Sequence, residues 1–344
     1  MKIGLVGYQG SGKSSLFQWL TGVAPDLGAV RSGQSGMCPI PDPRIGQLCE
    51  IYHPKKITHA ALEIVDTPGL SRTHEGNAAR LALIREAGCL VLVVAAYGGA
   101  DPRAELRSFD EDLILADMEI VANRIERVEE SFKKPRAKTE REASEHELAA
   151  LKAIMAALEA SEPVQLNAMT EEQVKATRSF RLLTEKPKMV IVNTADDEAD
   201  PDRFRHQAPA DIPMIPVPVG LELELSKMSP ADRAEFEREM GVGGTDRDHL
   251  VRTMLETSGQ MTFFTAGDKE VRTWLLQKDG TAVEAAGSIH TDLARGFIRA
   301  EVIKIEDLLR LKSERDVKAQ HLLHQEPKDY VVKENDVLLI RFSV

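Results

Sequence analysis

The chain has 344 residues, 42% hydrophobic and 29% charged, with a formal net charge of −11; this is an ordinary globular composition, too long for one core, and predicts two or three domains. The acidic balance excludes a general nucleic-acid coat and leaves room only for a local basic patch. Three cysteines without paired ligand spacing (Cys38, Cys49, Cys89), no signal-peptide pattern and no apolar run of about 20 residues place the expected protein in the cytoplasm, off the membrane.

The first stretch is the most informative. Ile3, Leu5 and Val6 predict a buried strand, Gly7-x-x-x-x-Gly12-Lys13-Ser14 follows, and Leu16, Phe17 and Leu20 predict a helix. Strand, glycine loop and helix in that order form the context of a P-loop. Glycines let the backbone curl so that N–H groups face phosphate oxygens at the positive end of a helix. The candidate phosphate cradle is therefore Gly7, Gln9, Gly10, Ser11, Gly12, Lys13, Ser14 and Ser15. Lys13 is placed to reach the β/γ-phosphates and the Ser14 hydroxyl to ligate Mg²⁺.

Thr21 to Gly36 is rich in Gly and polar residues and predicts a loop. In a switch protein this segment offers a hydroxyl to the metal and γ-phosphate; Ser32 and Ser35 are both candidates. Cys38-Pro-Ile-Pro-Asp-Pro-Arg44 is a stiff extended segment, and Ile45 to Tyr52 a short helix. Ala60 to Asp66 is a second strand ending in Asp66-Thr67-Pro68-Gly69. Asp66 is expected to hold a Mg²⁺-bound water and the Gly69 N–H to sense the γ-phosphate. Leu70 follows, and leucine neither donates nor accepts a hydrogen bond. Hydrolysis is thus expected to be slow, or a nearby polar group such as His74 or Glu75 orients the water.

Cys89 to Ala96 is a continuous apolar run, as in a central parallel strand. From about Leu113 to Leu182 the period turns helical, broken by Phe132-Lys-Lys-Pro-Arg. This predicts a two-helix hairpin of coiled-coil type whose basic tip (Lys133, Lys134, Arg136) is either an RNA-phosphate contact or a solvated turn. A third helix, Thr170 to Leu183, returns the chain. Lys188 to Asn193 is a further core strand, followed by Thr194-Ala195-Asp196. Asn193 and Asp196 have the spacing of a guanine-binding Asn-Lys-x-Asp motif with Thr in the Lys position, and a carboxylate suits the N1–H of guanine. Ile212 to Val219 is expected as the last strand of this domain, with Pro218 and Val219 beside the base, and Glu222 to Met240 as a polar helix. Met261 begins a module of about eighty residues with strands over Glu270–Leu276, Asp329–Val332 and Val337–Phe342, and a helix near Ile289–Phe297. His290 and Asp292 within it are expected at a helix cap rather than a metal site.

These pieces resemble the YchF branch of the Obg-like P-loop NTPases. The likeness rests on Gly7–Ser14, Pro39–Arg44, Asp66–Leu70, Glu75–Asn77, Leu113–Glu119, Phe263–Gly267, Lys269–Trp274 and Ala286–Asp292. It implies an α/β P-loop G domain with a mostly parallel sheet (1–104 and 183–258), an inserted coiled-coil helical domain (105–182) and a C-terminal α+β β-grasp, or TGS, domain (259–344). It also implies Mg²⁺-dependent hydrolysis of GTP or ATP and association, as a monomer, with the ribosome or its RNA through the tip and the C-terminal domain. A hydrophobic residue at the Leu70 position is typical of the group. Four positions depart from its pattern: Gly10 for Asn, no Thr in 30–35, Asp196 for a Glu, and Pro218-Val219 for Ser-Ala.

The expected function is a slow nucleotide-controlled switch that favours GTP slightly over ATP. A scaffold with negligible turnover and an ATP-preferring hydrolase are the alternatives; a metabolic kinase is disfavoured because no clamp for a small substrate is present.

Overall fold

The computed structural model describes all residues except 27, 29–31, 134–136, 165–168, 199, 206–208, 210, 241–244 and 344. Strand β1 (Lys2–Val6) is buried from Ile3 onward. It leads through the glycine loop into helix α1 (Lys13–Thr21), which begins after left-handed Gly12 (φ 98°) and stops at left-handed Gly22 (φ 72°). Next come β2 (Gln34–Pro39), α2 (Arg44–Tyr52), β3 (Lys56–Thr58) and β4 (Ala61–Asp66). Helix α3 (Asn77–Ile84) precedes β5 (Cys89–Ala96), which is buried except at its last residue.

Helix α4 (Pro102–Ser131) starts where Asp101 accepts a hydrogen bond from the Arg103 N–H and Pro102 takes the first turn. It packs beside α5 (Lys138–Glu159) through Val121, Val128, Leu151, Ile154 and Leu158. Lys133 is exposed just beyond α4, and Lys134 and Arg136 lie outside the described residues. The expected third helix is α6 (Glu171–Thr177), held at its start by a Thr170–Gln173 capping box, followed by a 3-10 turn over Arg178–Phe180.

β6 (Lys188–Thr194) and β7 (Met214–Val217) follow. The polar helix expected over 222–240 is instead two, α7 (Val219–Leu225) and α8 (Pro230–Met240), because Pro230 holds its predecessor out of helical geometry. The chain continues through α9 (Arg247–Thr257), β8 (Gln260–Thr265), β9 (Glu270–Gln277), α10 (Ala282–Ile289) and α11 (Thr291–Arg295). It ends with β10 (Phe297–Lys304), α12 (Ile305–Leu311), α13 (Glu314–Ala319), β11 (His324–Glu326) and β12 (Asp336–Phe342). The strand expected over 329–332 is absent. Tyr330 N–H turns back to the Pro327 carbonyl and Lys333 N–H to Asp336, so the backbone curls and leaves one bridge, Thr281 to Val331.

One six-stranded sheet has the order β2-β4-β1-β5-β6-β7, with β1, β5, β6 and β7 parallel. Parallel pairing brings the carboxyl ends of β1 and β6 to one edge, where α/β sheets bind ligands. The other has the order β11-β10-β12-β8-β9-β3 and is mixed. Its core gathers Met261, Phe263, Ala282, Ala285, Ala286 and Leu338.

Packing divides the chain into two compact units, Met1–Gly36 with Ile64–Thr245, and Met37–Glu63 with Asp246–Val344. This differs from a division made along the sequence. The segment 37–63 joins the C-terminal unit because Ile45 and Leu48 of α2 share a core with Phe264, Val271, Ile305 and Leu308, and because β3 pairs with β9. Among the described residues, no helix is long and apolar enough to cross a membrane. Nor does any group of three or more His, Cys, Asp and Glu side chains converge as metal ligands.

Candidate functional site

The glycine loop takes the shape its composition demands. Gly7 (φ 136°) lies where a Cβ would meet the Val93 carbonyl at 2.5 Å, and Gly12 where one would meet Asn193 Nδ2 at 2.1 Å. Lys13 is buried and its Nζ donates to the Tyr8 carbonyl at 2.7 Å. Burial pulls its pKa down to about 8, against the opposing pull of Asp66 and Glu105.

The acid loop is tied onto this loop. Gln9 N–H donates to the Leu70 carbonyl and Leu70 N–H to the Gly7 carbonyl, both at 3.0 Å. Gly69 packs so closely that a Cβ would sit 2.8 Å from Lys13 Nζ. The Ser14 hydroxyl donates to Asp66 Oδ2 at 2.6 Å. Asp66 Oδ1 is buried with no hydrogen-bond partner among the described residues. Burial raises the Asp66 pKa, and Ser14 and Lys13 hold it back. A hydroxyl and an unpartnered carboxylate oxygen side by side are the hard oxygen donors that suit Mg²⁺.

Leu70 is fully buried, in one cluster with Val6, Tyr8, Leu92 and Phe109. Its side chain fills core and does not face the cavity, which accounts for an apolar residue at this position. His74, the expected water-orienting candidate, is turned away: its Nδ1 lies 3.2 Å from Asp112 Oδ1, and Asp112 also accepts from the Tyr8 hydroxyl at 2.8 Å. Glu75 is exposed and does not line the cavity over the phosphate loop; its carbonyl accepts from Arg80 Nη1 at 3.1 Å.

At the end of β6, Asn193 Nδ2 donates to the Ser11 carbonyl at 3.0 Å, and its Oδ1 accepts from the Val219 N–H at 3.2 Å. Asn193 therefore fastens the phosphate loop to the segment containing Pro218 and Val219. Asp196 is exposed and its Oδ1 accepts from the Leu221 N–H at 3.0 Å, inside the first turn of α7.

A cavity of about 610 Å³ opens over the loop. Gln9, Gly10, Lys13, Ser14, Asp66 and Gly69 line it, as their motifs require. Pro25, Asp26, Gln34, Ala79 and Arg80 line it too, and no motif points to them; Gly76, from the Glu75–Asn77 stretch, lies beside them. Ser32 and Ser35 line a separate hollow of about 130 Å³. The segment 21–36 thus presents Asp26 and Gln34 to the cavity, linked by the Asp26 N–H to Gln34 Oε1 bond at 2.7 Å. Arg80 projects from α3, its Nη1 donating to the Glu75 carbonyl and to Asn77 Oδ1 at 3.1 Å each. It forms no ion pair among the described residues, so its charge faces the cavity unneutralised. The available signal was helical spacing: Gly76, Ala79 and Arg80 share one side of the turn that starts α3.

Known proteins match along the whole chain. Residues 2–124 match the family MMR_HSR1, described as a 50S ribosome-binding GTPase, and residues 260–343 match YchF-GTPase_C, described as "Protein of unknown function (DUF933)". The "Ribosome-binding ATPase YchF" of Haemophilus ducreyi is 32% identical, the match covering 100% of this chain and 99% of that protein. The chain belongs to the YchF family. The Bacillus subtilis "Ribosome-binding ATPase YchF" is also 32% identical, over 99% of both chains. "Obg-like ATPase 1" of Oryza sativa subsp. japonica is 32% identical over 100% of this chain and 92% of its own. Among solved structures, the Schizosaccharomyces pombe YchF GTPase superposes with a TM-score of 0.84 at 25% identity, covering 99% and 97% of the two chains. The P-loop and the acid loop of this YchF-family chain thus lie within a GTPase-family match, whereas Asn193, Asp196, Pro218 and Val219 lie between the two family matches.

Proposed function

We propose that this protein is a slow, Mg²⁺-dependent nucleoside triphosphatase that acts as a nucleotide-controlled switch on the ribosome, with Lys13 and Arg80 meeting the terminal phosphate. The observation that carries this is the single cavity in which Lys13, Ser14, the unpartnered Asp66 Oδ1, Gly69 and Arg80 converge. The ribosome enters from the relatives, which are named ribosome-binding ATPases.

In this reading the loop N–H groups and Lys13 hold the β- and γ-phosphates, and the Gly69 N–H donates to the γ-phosphate. Ser14, directly, and Asp66, through a water, would hold Mg²⁺, which would neutralise phosphate charge. Arg80 supplies from within the chain the positive charge that stabilises phosphoryl oxygens in the transition state. The Leu70 side chain offers no hydrogen bond to an attacking water, so turnover is slow. Asn193 holds the base loop against the phosphate loop; Pro218 and Val219 flank the base, and Asp196 selects it. In sequence order the module runs over 1–104 and 183–258, with the hairpin (105–182) inserted and the TGS-type domain (259–344) appended, while 37–63 and 246–258 pack in the C-terminal unit. The protein works as a cytoplasmic monomer, reaching the ribosome through its C-terminal domain and the hairpin tip at Lys133, Lys134 and Arg136.

Single-turnover hydrolysis with and without ribosomes tests this reading. We expect ribosomes to change the rate and Lys13→Ala to abolish it; a rate that ignores Lys13 contradicts the assignment. For the base, the exposed Asp196 carboxylate favours GTP slightly, whereas the names of the relatives favour ATP. Competition titration decides between them: a clear ATP preference unaffected by Asp196→Ala removes Asp196 from base selection.

A further inference from the structure

We propose that a basic groove at the far end of the parallel sheet from the phosphate loop binds the phosphate backbone of RNA. The inference deepens the ribosome reading and rests on it for the source of that RNA. The groove has a volume of about 1010 Å³ and is lined by Lys2, Lys175, Arg178, Arg181 and Lys186. Among the described residues that line it, only Glu86 and Glu185 oppose them, which leaves three net positive charges in one groove of a chain whose net charge is −11. Lys2, Lys175, Arg178 and Arg181 are exposed and make no ion pair among the described residues.

The groove wall is a built structure. The segment carrying Arg178 to Lys186 is pinned by Asp117, a fully buried carboxylate of α4. Asp117 accepts from Arg85 Nη1 at 2.6 Å, from the Leu183 N–H at 3.0 Å, and from the Thr184 N–H and hydroxyl at 2.9 Å each. Arg85 in turn donates to the Arg181 carbonyl at 3.2 Å. Lys186 donates to the Ala87 carbonyl, and its pKa is lowered by burial and then by the neighbouring Arg85 and Arg181 cations. The fold holds like charges together here, a cost that a polyanion would relieve.

The position leaves the nucleotide site free. Lys2 opens β1 and Lys188 opens β6, whereas the phosphate loop follows Val6 at the other end of β1, about 16 Å away along five residues of strand. The lining contains no aromatic ring on which a base could stack, so contact is with backbone phosphates and is independent of sequence. The five cations favour phosphates, while Met1, Ala87, Leu182 and Pro187 in the same lining make an acidic protein the competing ligand.

The test combines Lys175→Gln, Arg178→Gln and Arg181→Gln in the full chain. Binding is measured by anisotropy with a labelled RNA duplex of about 16 base pairs, at salt from about 50 to 200 mM. The expected result is at least about tenfold weaker binding at low salt and a salt slope shallower by about two. Nucleotide affinity and melting temperature should be unchanged, and Arg178→Lys with Arg181→Lys should retain the wild-type slope. Equal affinity and slope in the Gln variant would overturn the proposal. So would loss of binding to poly-glutamate with RNA binding intact, which would assign the groove to an acidic protein. If the Gln variant loses the duplex but pellets with ribosomes like wild type, the groove stands and its placement on the ribosome falls.

Discussion

Lys13 is the residue on which the chemistry turns, and burial makes it sensitive to pH. Burial lowers its pKa to about 8, so without an anion beside it the ammonium loses its proton as the pH rises through that value. A bound triphosphate favours the charged form, so binding above pH 8 takes up a proton, and affinity should fall by up to about tenfold per pH unit there. On the acid side the raised Asp66 pKa works in the opposite direction, because a protonated carboxyl no longer holds a metal-bound water. Fluorescent-nucleotide titration across pH should therefore give a bell, and Lys13→Met should remove its alkaline limb. Arg80→Ala should lower the single-turnover rate by about a hundredfold or more while nucleotide affinity changes little, with Arg80→Lys recovering part of the rate. Equal losses in affinity and rate would make Arg80 a binding residue only.

Among the elements, the junction of the phosphate loop with the acid loop explains the apolar residue that the sequence left unassigned. Leu70 is sealed in the core by two backbone hydrogen bonds to the phosphate loop. Leu70→Gln should therefore cost roughly 2–4 kcal/mol of stability, read by denaturant melting, and should not speed hydrolysis. A faster, equally stable variant would show that the side chain reaches the cavity. Gly12→Ala should uncouple the phosphate loop from the base loop, since a Cβ would lie 2.1 Å from Asn193 Nδ2. Nucleotide binding should be lost in the same titration.

The glycine loop, Asp66-Thr67-Pro68-Gly69, the buried strand at Cys89–Ala96 and the place of Asn193 at the end of a core strand were legible because each is local: residue types at fixed spacing set backbone shape and charge. Arg80, Asp26 and Gln34 were not legible, because what places them at the cavity is how α3 and the segment after α1 fold back. The two helices within 222–240 were legible in principle from Pro230. The curl at 329–332 depends on Asp336, which accepts from Lys333 N–H and the Tyr330 hydroxyl.

At the scale of the whole molecule, the fold assembles working surfaces from distant parts of the chain. Parallel pairing of β1, β5 and β6 brings Lys2 to the same groove as Lys186, and at the other end brings Ser11 to Asn193. The segment 37–63, between Gln34 and Asp66 in sequence, belongs to the C-terminal compact unit. Asp117 anchors the return from the hairpin as a buried, paired charge. Asp117→Ala strips four hydrogen bonds and leaves Arg85 without its carboxylate, and should cost about 3–5 kcal/mol in a denaturant melt. The central claim is that this cavity hydrolyses a nucleoside triphosphate through Lys13 and Arg80. Single-turnover hydrolysis of ATP and GTP by the full chain, compared with Lys13→Ala and Arg80→Ala, tests it most directly. We expect slow turnover in the wild type, none in Lys13→Ala and a deep loss in Arg80→Ala with the nucleotide still bound; equal turnover in all three would overturn the assignment.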